Sequence, residues 1–304
     1  MSQEKALDSF DGTRIVYRVS GSGDRWLVIA NGYGATFCAW DDIVARLEDR
    51  CRILVWDYRG LHRSGIPRDL GHLRVEDHCR DLDRIRAAEG IERMTLAGWS
   101  VGVQVALEQY RRSPGEVDAL ALINGAHGRV LQRSTRSRLA RRALPSLVRA
   151  IHATAPVLGP GVLPPLRVAA TRSWSGPLLR RVGLFNGEGP ALTESARAIL
   201  DLDYRVYSHM VLLADEHDTD DVLPTITVPT LVVCGDRDAI TPPSVGRPIA
   251  ERIPGARYVE VAGATHYGVM EFPELYARSL GELLDASHSS TRTPSSTTWS
   301  AGTS

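Results

Sequence analysis

The sequence predicts an α/β fold with a mostly parallel twisted sheet, flanked by helices and interrupted by a helical insertion. Short apolar runs, typical of strands buried on both faces, alternate with helix-like segments on either side of the insertion. Polar residues lie at the carboxyl ends of four of these predicted strands, namely Asn31, Asp57, Ser100 and Asn124. Because the carboxyl ends of parallel strands border the ligand crevice, we expect these side chains to share one edge of the sheet.

Two patterns predict the strands. Residues 14–19 alternate apolar and polar side chains, as a half-buried strand does. The remaining predicted strands are mainly apolar runs at 26–30, 53–56, about 92–97, 119–123, 230–234 and 258–261.

The clearest predicted helix is the amphipathic segment from Val75 to Glu89, which Gly90 closes. The spacing of apolar residues predicts further helices at about 39–48, 101–111, 244–253 and 273–284.

Between about residues 127 and 220 the alternation stops. This segment contains Arg-rich helical stretches and no convincing strand, so we expect residues 127–220 to form a helical cap inserted into one core domain. The core domain would then comprise residues 1–126 and 221–286. The tail at 287–304 is rich in Ser and Thr, and its near lack of aliphatic residues predicts disorder.

The composition is that of a globular protein without a strong charge bias. The 304 residues include 36 basic and 36 acidic side chains, which gives no reason to expect a nucleic-acid partner. No apolar run approaches the roughly 18 residues that span a bilayer, and residues 1–8 lack a secretory signal. We therefore expect a cytoplasmic protein without stable membrane insertion, whose four scattered cysteines are free thiols; its oligomeric state stays open.

The segment Gly98-Trp99-Ser100-Val101-Gly102 carries the first chemical signal. It follows a predicted strand and precedes a predicted helix, which is the context of a nucleophile elbow. Glycines two residues away on each side leave space at such a turn, and the helix N-terminus offers unpaired N–H groups to a developing negative charge. Ser100 is therefore the candidate nucleophile.

A serine nucleophile requires a base and a carboxylate to orient that base. Of the nine histidines, His266 alone follows the last predicted strand in a loop before the final helix. Asp236 and Asp238 both follow the strand at 230–234; we favour Asp238 as the acid and expect Asp236 to bond the turn backbone. Asp57 is interpreted as a loop organiser that acts with Arg59.

In these motifs and their order, the chain resembles the α/β-hydrolase superfamily, in its capped serine hydrolase and esterase branch. The resemblance covers residues 10–285, and it implies that Ser100 is the nucleophile, His266 the base and Asp238 the acid. It also implies an oxyanion hole formed by the backbone N–H groups of Tyr33 and Val101.

Three residues depart from the superfamily's pattern. Asn31 replaces the usual histidine of the His-Gly-x-Gly loop, which changes how that loop is held. His62 replaces a glycine in the loop from Asp57 to Ser64, and Thr265 replaces the glycine before the catalytic histidine. None of the three removes a reacting group.

The type of nucleophile also separates this chain from some relatives. Haloalkane dehalogenases and epoxide hydrolases of this fold use aspartate at the elbow, whereas serine indicates acyl chemistry. We therefore expect hydrolysis of carboxylic esters of small or medium acyl chains through an acyl-enzyme, without a cofactor or metal. C–C bond hydrolysis, thioester cleavage, acyl transfer and a ligand-binding receptor with little turnover remain alternatives, and the acyl substrate is not specified.

The predicted cap is strongly basic. Eleven arginines and no acid lie between Asp118 and Glu188, and an acidic run from Asp215 to Asp221 follows. The cap either attracts anionic ligands or a membrane surface, or it exposes solvated arginines that the acidic run partly neutralises. We favour the second interpretation. The apolar stripe Leu144, Leu147, Val148 and Ile151 is likewise interpreted as core rather than acyl pocket.

Overall fold

A computed structural model describes residues 2–135, 137–170 and 190–290. An eight-stranded sheet with the order β1-β2-β4-β3-β5-β6-β7-β8 forms its centre. The first two strands pair antiparallel with each other and with β4, whereas all other neighbours are parallel. The prediction of a mostly parallel α/β sheet is confirmed. The strands are β1 (Gln3–Asp8), β2 (Arg14–Gly21), β3 (Trp26–Ala30), β4 (Arg52–Trp56), β5 (Met94–Trp99), β6 (Val117–Ile123), β7 (Thr230–Gly235) and β8 (Arg257–Val261).

Ten α-helices accompany the strands in the described part of the chain. Five of them, α1, α2, α3, α8 and α10, correspond to the helices that the sequence predicts, with ends shifted by a few residues. The helices are α1 (Asp41–Leu47), α2 (Val75–Glu89), α3 (Gly102–Arg112), α4 (Val130–Arg133), α5 (Arg138–Ala170), α6 (Pro190–Leu200), α7 (Tyr204–Glu216), α8 (Pro243–Arg252), α9 (Gly268–Glu271) and α10 (Pro273–Ser290).

Each face of the sheet has its own apolar core, because successive strand residues point to opposite faces. Val28 and Leu54 belong to the core shared with α2 and α3. Their neighbours Leu27 and Ile53 belong to the other core, which α1 and α10 cover. Burial on both faces explains why these strands are continuous apolar runs.

The segment between β6 and β7 contains helices α4 to α7. Within its described residues, the one β-pairing is an isolated bridge between Gly128 and Asp218. Residues 171–189 of the predicted cap lie outside the described residues. No helix in the described ranges combines the length and apolar character needed to cross a membrane.

Helix α10 corrects the boundary of the predicted tail. It continues to Ser290 instead of ending before residue 287, and Ser287 is buried with its hydroxyl donating to the Leu284 carbonyl at 2.9 Å. A serine in a helix can bond the preceding turn in this way, so its polarity does not end the helix. Residues 291–304 lie outside the described part. None of the four cysteines forms a disulfide bond, and three of them are buried.

Candidate active site

Ser100 occupies a strained turn between β5 and α3. Its φ of +58° is left-handed, and its backbone N–H donates to the Ile123 carbonyl at 3.0 Å. The flanking glycines permit this turn, because a Cβ at Gly98 would lie 2.2 Å from the Gly102 carbonyl oxygen. A Cβ at Gly102 would lie 2.0 Å from the Ala30 carbonyl oxygen. The elbow therefore packs against β3 with no space for a side chain at either glycine.

His266 lies in the loop after β8, within reach of the serine. Its Nε2 is 2.9 Å from Ser100 Oγ, and its backbone carbonyl accepts a hydrogen bond from Trp99 Nε1 at 3.0 Å. The preceding residue, Thr265, donates its backbone N–H and its hydroxyl to Glu271 at 2.8 and 2.7 Å. This threonine, which departs from the superfamily's glycine, thus fixes the histidine loop to α9.

Asp238 orients the histidine from the other side. Its Oδ2 lies 2.8 Å from His266 Nδ1, and its Oδ1 accepts the backbone N–H groups of Ile240 and Thr241 at 2.7 and 2.8 Å. Burial raises the pKa of the Asp238 carboxyl, but the adjacent His266 and these donors outweigh burial and hold the pKa below its usual value. The carboxylate is therefore ionised when the imidazole takes up a proton.

Asp236 has a different partner. Its Oδ1 accepts the backbone N–H of Gly263 at 2.7 Å, which ties the β7 turn to the turn after β8. The structure thus brings Asp238 rather than Asp236 to the histidine, as the sequence analysis expected.

Asp57 holds its loop through Arg63, and not together with Arg59 as the sequence analysis expected. Asp57 Oδ2 lies 3.3 Å from Arg63 Nε and also accepts the Arg63 backbone N–H at 3.4 Å. Burial raises the pKa of Asp57 to about 6, although Arg63 opposes this rise.

Arg59 is directed away from Asp57, towards the N-terminal hairpin. It donates to the fully buried Asp81 and to Asp11, at 2.8 and 2.9 Å, and its guanidinium lies 4.4 Å from the centre of the Phe10 ring. Two carboxylates and the face of an aromatic ring stabilise the Arg59 guanidinium more than a single aspartate at a strand end would. This explains why Arg59 pairs with them.

Tyr33 and Val101 both line the cavity beside Ser100. Within the described residues, neither backbone N–H donates to a protein acceptor. The loop carrying Tyr33 is held by Asn31, whose Oδ1 accepts from the Gly32 N–H and from Trp40 Nε1, both at 3.0 Å. The asparagine thus takes over the fixing of this loop from the usual histidine.

His62, in the loop after β4, has a φ of +50°. This left-handed conformation is one that the superfamily's glycine adopts readily, so the loop keeps its shape at the cost of some backbone strain. Burial lowers the pKa of the His62 imidazole to about 4.

Two further side chains bind the Asp238 carboxylate. Asn124, at the end of β6 with a φ of +43°, donates to Asp238 Oδ2 at 2.9 Å and to the Thr265 carbonyl at 3.0 Å. The Thr241 hydroxyl donates to the same Oδ2 at 2.9 Å and lies 3.2 Å from His266 Nδ1. Asn124 could be singled out in the sequence because it lies at a strand end. The sequence did not indicate the partners of Asn124 or a role for Thr241.

A cavity of about 430 Å³ opens beside Ser100. Core residues line it together with residues of α4 to α7, and the lining described by the structure contains no Asp, Glu, Lys or Arg. Leu144 of the predicted apolar stripe also lines the cavity, whereas Leu147 and Ile151 are exposed, so the stripe as a whole is not core.

Several arginines in and beside the predicted cap are paired with acids. Arg129 and Arg133 contact Asp218 at 3.0 and 3.1 Å, and Arg252 bonds Asp220. His127, Asp218 and Asp220 place potential ligand atoms within 4.8 Å of one another, but these arginines already supply positive charge there. The pairing agrees with the interpretation in which the acidic run neutralises part of the cap.

Known proteins share this architecture. The chain is 26% identical over 270 residues to the "Putative carbamate hydrolase RutD" of Azorhizobium caulinodans, covering 88% of this chain and 93% of that relative. The enol-lactonase from Burkholderia xenovorans LB400 matches with a TM-score of 0.73 and 24% identity, covering 92% of this chain and 100% of that one.

A thermophilic esterase from Thermogutta terrifontis has the same TM-score of 0.73 at 23% identity, covering 94% of this chain and 99% of that one. At such identities the structural likeness shows the fold. The model of the family described as alpha/beta hydrolase fold matches residues 25–273, which is most of the chain. The chain therefore belongs to the alpha/beta hydrolase fold family.

Proposed function

We propose that this protein is a serine hydrolase that cleaves carboxylic esters through an acyl-enzyme. The observation that carries the proposal is one continuous hydrogen-bonded chain. Ser100 Oγ lies 2.9 Å from His266 Nε2, and His266 Nδ1 lies 2.8 Å from Asp238 Oδ2. These contacts have the lengths and the order that general-base activation of a serine requires.

In the acylation step, Ser100 Oγ attacks the ester carbonyl carbon while His266 Nε2 takes its proton. Asp238 holds the imidazole by Nδ1 and stabilises the imidazolium. The N–H groups of Tyr33 and Val101 would donate to the oxyanion, a role their free hydrogens and place beside the cavity support. The intermediate then collapses, and His266 returns the proton to the departing alkoxide.

In deacylation, a water molecule replaces the alcohol and donates its proton to His266 as it attacks the acyl carbonyl. Collapse of the second intermediate releases the carboxylic acid and restores the Ser100 hydroxyl. Asn124 and Thr241 keep the acid in place throughout, because both donate to Asp238 Oδ2.

The cavity favours uncharged substrates of small or medium size. Ion-pairing groups are absent from its described lining, so a charged acyl or alcohol group would lose its hydration without compensation. We also propose that the segment between β6 and β7 acts as a cap, because α4 to α7 contribute residues to the same lining.

The test is hydrolysis of p-nitrophenyl acetate, butyrate, hexanoate and decanoate, with pre-steady-state measurement of p-nitrophenol release. We expect a burst equal to the enzyme concentration, with turnover lost in Ser100→Ala and kept in Ser22→Ala, an exposed loop serine. Binding of these esters without turnover would favour a receptor. Faster cleavage of thioesters or of C–C bonds than of esters would favour a thioesterase or a C–C bond hydrolase that uses the same residues. Faster transfer of the acyl group to an added alcohol than to water would favour an acyltransferase.

A further inference from the structure

Most hydroxyl groups that line the cavity already have protein partners. A hydroxyl with a partner is a poor recognition group, because binding a ligand would first break an existing bond. The engaged contacts, in addition to that of Ser100, are Ser134 Oγ with the Leu131 carbonyl (3.2 Å), Ser195 Oγ with Met270 Sδ (3.6 Å), Tyr33 OH with His78 Nε2 (2.9 Å) and Thr241 Oγ1 with Asp238 Oδ2 (2.9 Å).

Tyr207 differs from these residues. It lines the cavity, and its phenol has no hydrogen-bond partner anywhere in the described residues. Its ring lies 3.6 Å from the place that a Cβ would take at Gly34, so the tyrosine is beside the loop that carries the Tyr33 N–H. An unpaired donor thus faces the cavity close to the proposed oxyanion hole.

The position of Tyr207 is fixed by α7. Asp203 caps this helix, its Oδ1 accepting the Arg205 and Val206 N–H groups at 2.9 and 3.3 Å. The fully buried Val206 and Met210 anchor one face of the helix to the core. Tyr207 follows Val206 and Val211 follows Met210, and both of these residues line the cavity. They lie on the same face of the helix because they are four residues apart.

A hydroxyl loses part of its hydration in apolar surroundings, and the cavity lining around the partly buried Tyr207 is mostly apolar. Burial also raises the pKa of Tyr207 above its ordinary value, so the phenol keeps its proton and can donate at neutral pH. The group is therefore suited to donate to an acceptor that the ligand brings.

We infer that Tyr207 determines specificity by donating a hydrogen bond to an oxygen of the substrate other than those of the scissile ester. The inference rests on the proposed esterase function and narrows its substrate class. The substrate is an uncharged ester whose acyl or alcohol chain carries an ether, hydroxyl or second carbonyl oxygen. Such a substrate satisfies the phenol and leaves the rest of the cavity in apolar contact.

The test uses isosteric esters that differ by replacement of one CH₂ by oxygen. Butyl pentanoate is the parent, and its analogues carry an ether oxygen in place of each CH₂ of the acyl or alcohol chain that is not bonded directly to the ester group. Hydrolysis is followed by pH-stat for the wild type, Tyr207→Phe and Tyr204→Phe. Tyr204 is the matched control, because it lies on the same helix outside the cavity lining.

We expect Tyr207→Phe to lower kcat/KM about fivefold for at least one ether ester, while the parent changes less than twofold. Equal effects on the parent and on every ether ester, or no effect on any, would overturn the inference. An equal effect of Tyr204→Phe would do so as well. Thermal unfolding of each variant identifies any loss that arises from destabilisation.

The same assay separates this inference from the proposed function. If Ser100→Ala retains the wild-type rate on butyl pentanoate, the acyl-enzyme proposal fails. If Ser100→Ala is inactive but Tyr207→Phe changes kcat/KM by the same factor for the parent and for every ether ester, only the proposed role of Tyr207 fails.

Discussion

Asn124 joins the Asp238 carboxylate to the histidine loop. Its amide donates to Asp238 Oδ2 at 2.9 Å and to the Thr265 carbonyl, one residue before His266, at 3.0 Å. The side chain thus fixes the distance between Asp238, which follows β7, and His266, which follows β8. Because the two loops are joined through β6, a change at Asn124 affects His266 as well as Asp238.

Replacement of Asn124 by glycine removes both bonds while tolerating the left-handed φ of +43°. We expect kcat to fall about tenfold with little change in KM, since a hydrogen bond to a charged group is lost. Steady-state kinetics on p-nitrophenyl butyrate and a thermal unfolding curve check this prediction. An unchanged kcat would show that Asn124 does not position the pair.

The two aspartates of the β7 turn provide a matched comparison. Asp238→Asn is expected to lower kcat by about 10³ to 10⁴, because an amide does not stabilise the imidazolium or select the tautomer. Asp236→Asn removes a charge from the bond to the Gly263 N–H and is expected to change kcat less than about threefold. The same ester assay measures both variants, and a larger loss at Asp236 would reverse our assignment of the acid.

Asp57 makes stability depend on pH. Burial raises its pKa to about 6 from an unfolded value of 3.8, so the unfolded state loses its proton at lower pH than the folded state does. Its contribution to stability therefore falls as pH rises through this range. Between pH 4.5 and 7.5, we expect Asp57→Asn to gain about 2 kcal/mol in unfolding free energy relative to the wild type.

Urea unfolding of Asp57→Asn and of the wild type at pH 4.5 and 7.5 measures this change in the difference between their unfolding free energies. Asp285→Asn is a suitable control, because the lowered pKa of this exposed carboxyl places its titration below this pH range, so its effect on stability should be nearly the same at both pH values. A difference between Asp57→Asn and the wild type that does not change with pH would contradict a raised pKa in the folded protein.

Gly102 is expected to tolerate no side chain. A Cβ there would lie 2.0 Å from the Ala30 carbonyl oxygen, which belongs to the central sheet and cannot move away. We expect Gly102→Ala to lower the unfolding free energy by about 3 kcal/mol and to reduce the proposed esterase activity, because the elbow must shift. Gly115→Ala, where a Cβ would meet nothing within 4 Å, should leave both properties unchanged.

Arg59 stabilises a buried carboxylate. Arg59→Met would leave Asp81, which is fully buried, without its charged partner, and we expect a loss of about 3–5 kcal/mol in unfolding free energy. Arg93→Met breaks the half-exposed pair with Asp118 and should cost less than about 1 kcal/mol. Chemical denaturation distinguishes the two, and similar losses would show that burial does not set the energy of these pairs.

The sequence predicts most of the sheet, because strands buried on both faces require continuous apolar runs. Strand β1 escaped prediction, since an exposed edge strand such as Gln3–Asp8 needs no apolar face. The end of α10 was also missed. Buried serine is compatible with a helix when neighbouring elements cover it, and composition does not reveal that cover.

The candidate site was predictable where chemistry and chain order restrict the choice. A serine between glycines, an aspartate after β7 and a histidine after β8 follow from reading strand ends. Partner choice among nearby charges was not predictable, as Arg59 shows by bonding Asp81 of α2 instead of Asp57. The partner of a charged side chain depends on the direction in which the side chain points. That direction does not follow from the closeness of two residues in the sequence.

Asn31 gives the loop that carries Tyr33 a property that a histidine there would lack. Its amide bonds the Gly32 N–H, Trp40 and the Ala35 carbonyl without carrying a proton that comes and goes near neutral pH. An imidazole in that place would change its charge within this range. The shape of the loop therefore does not depend on the protonation of residue 31, and any pH dependence of the reaction must come from other residues.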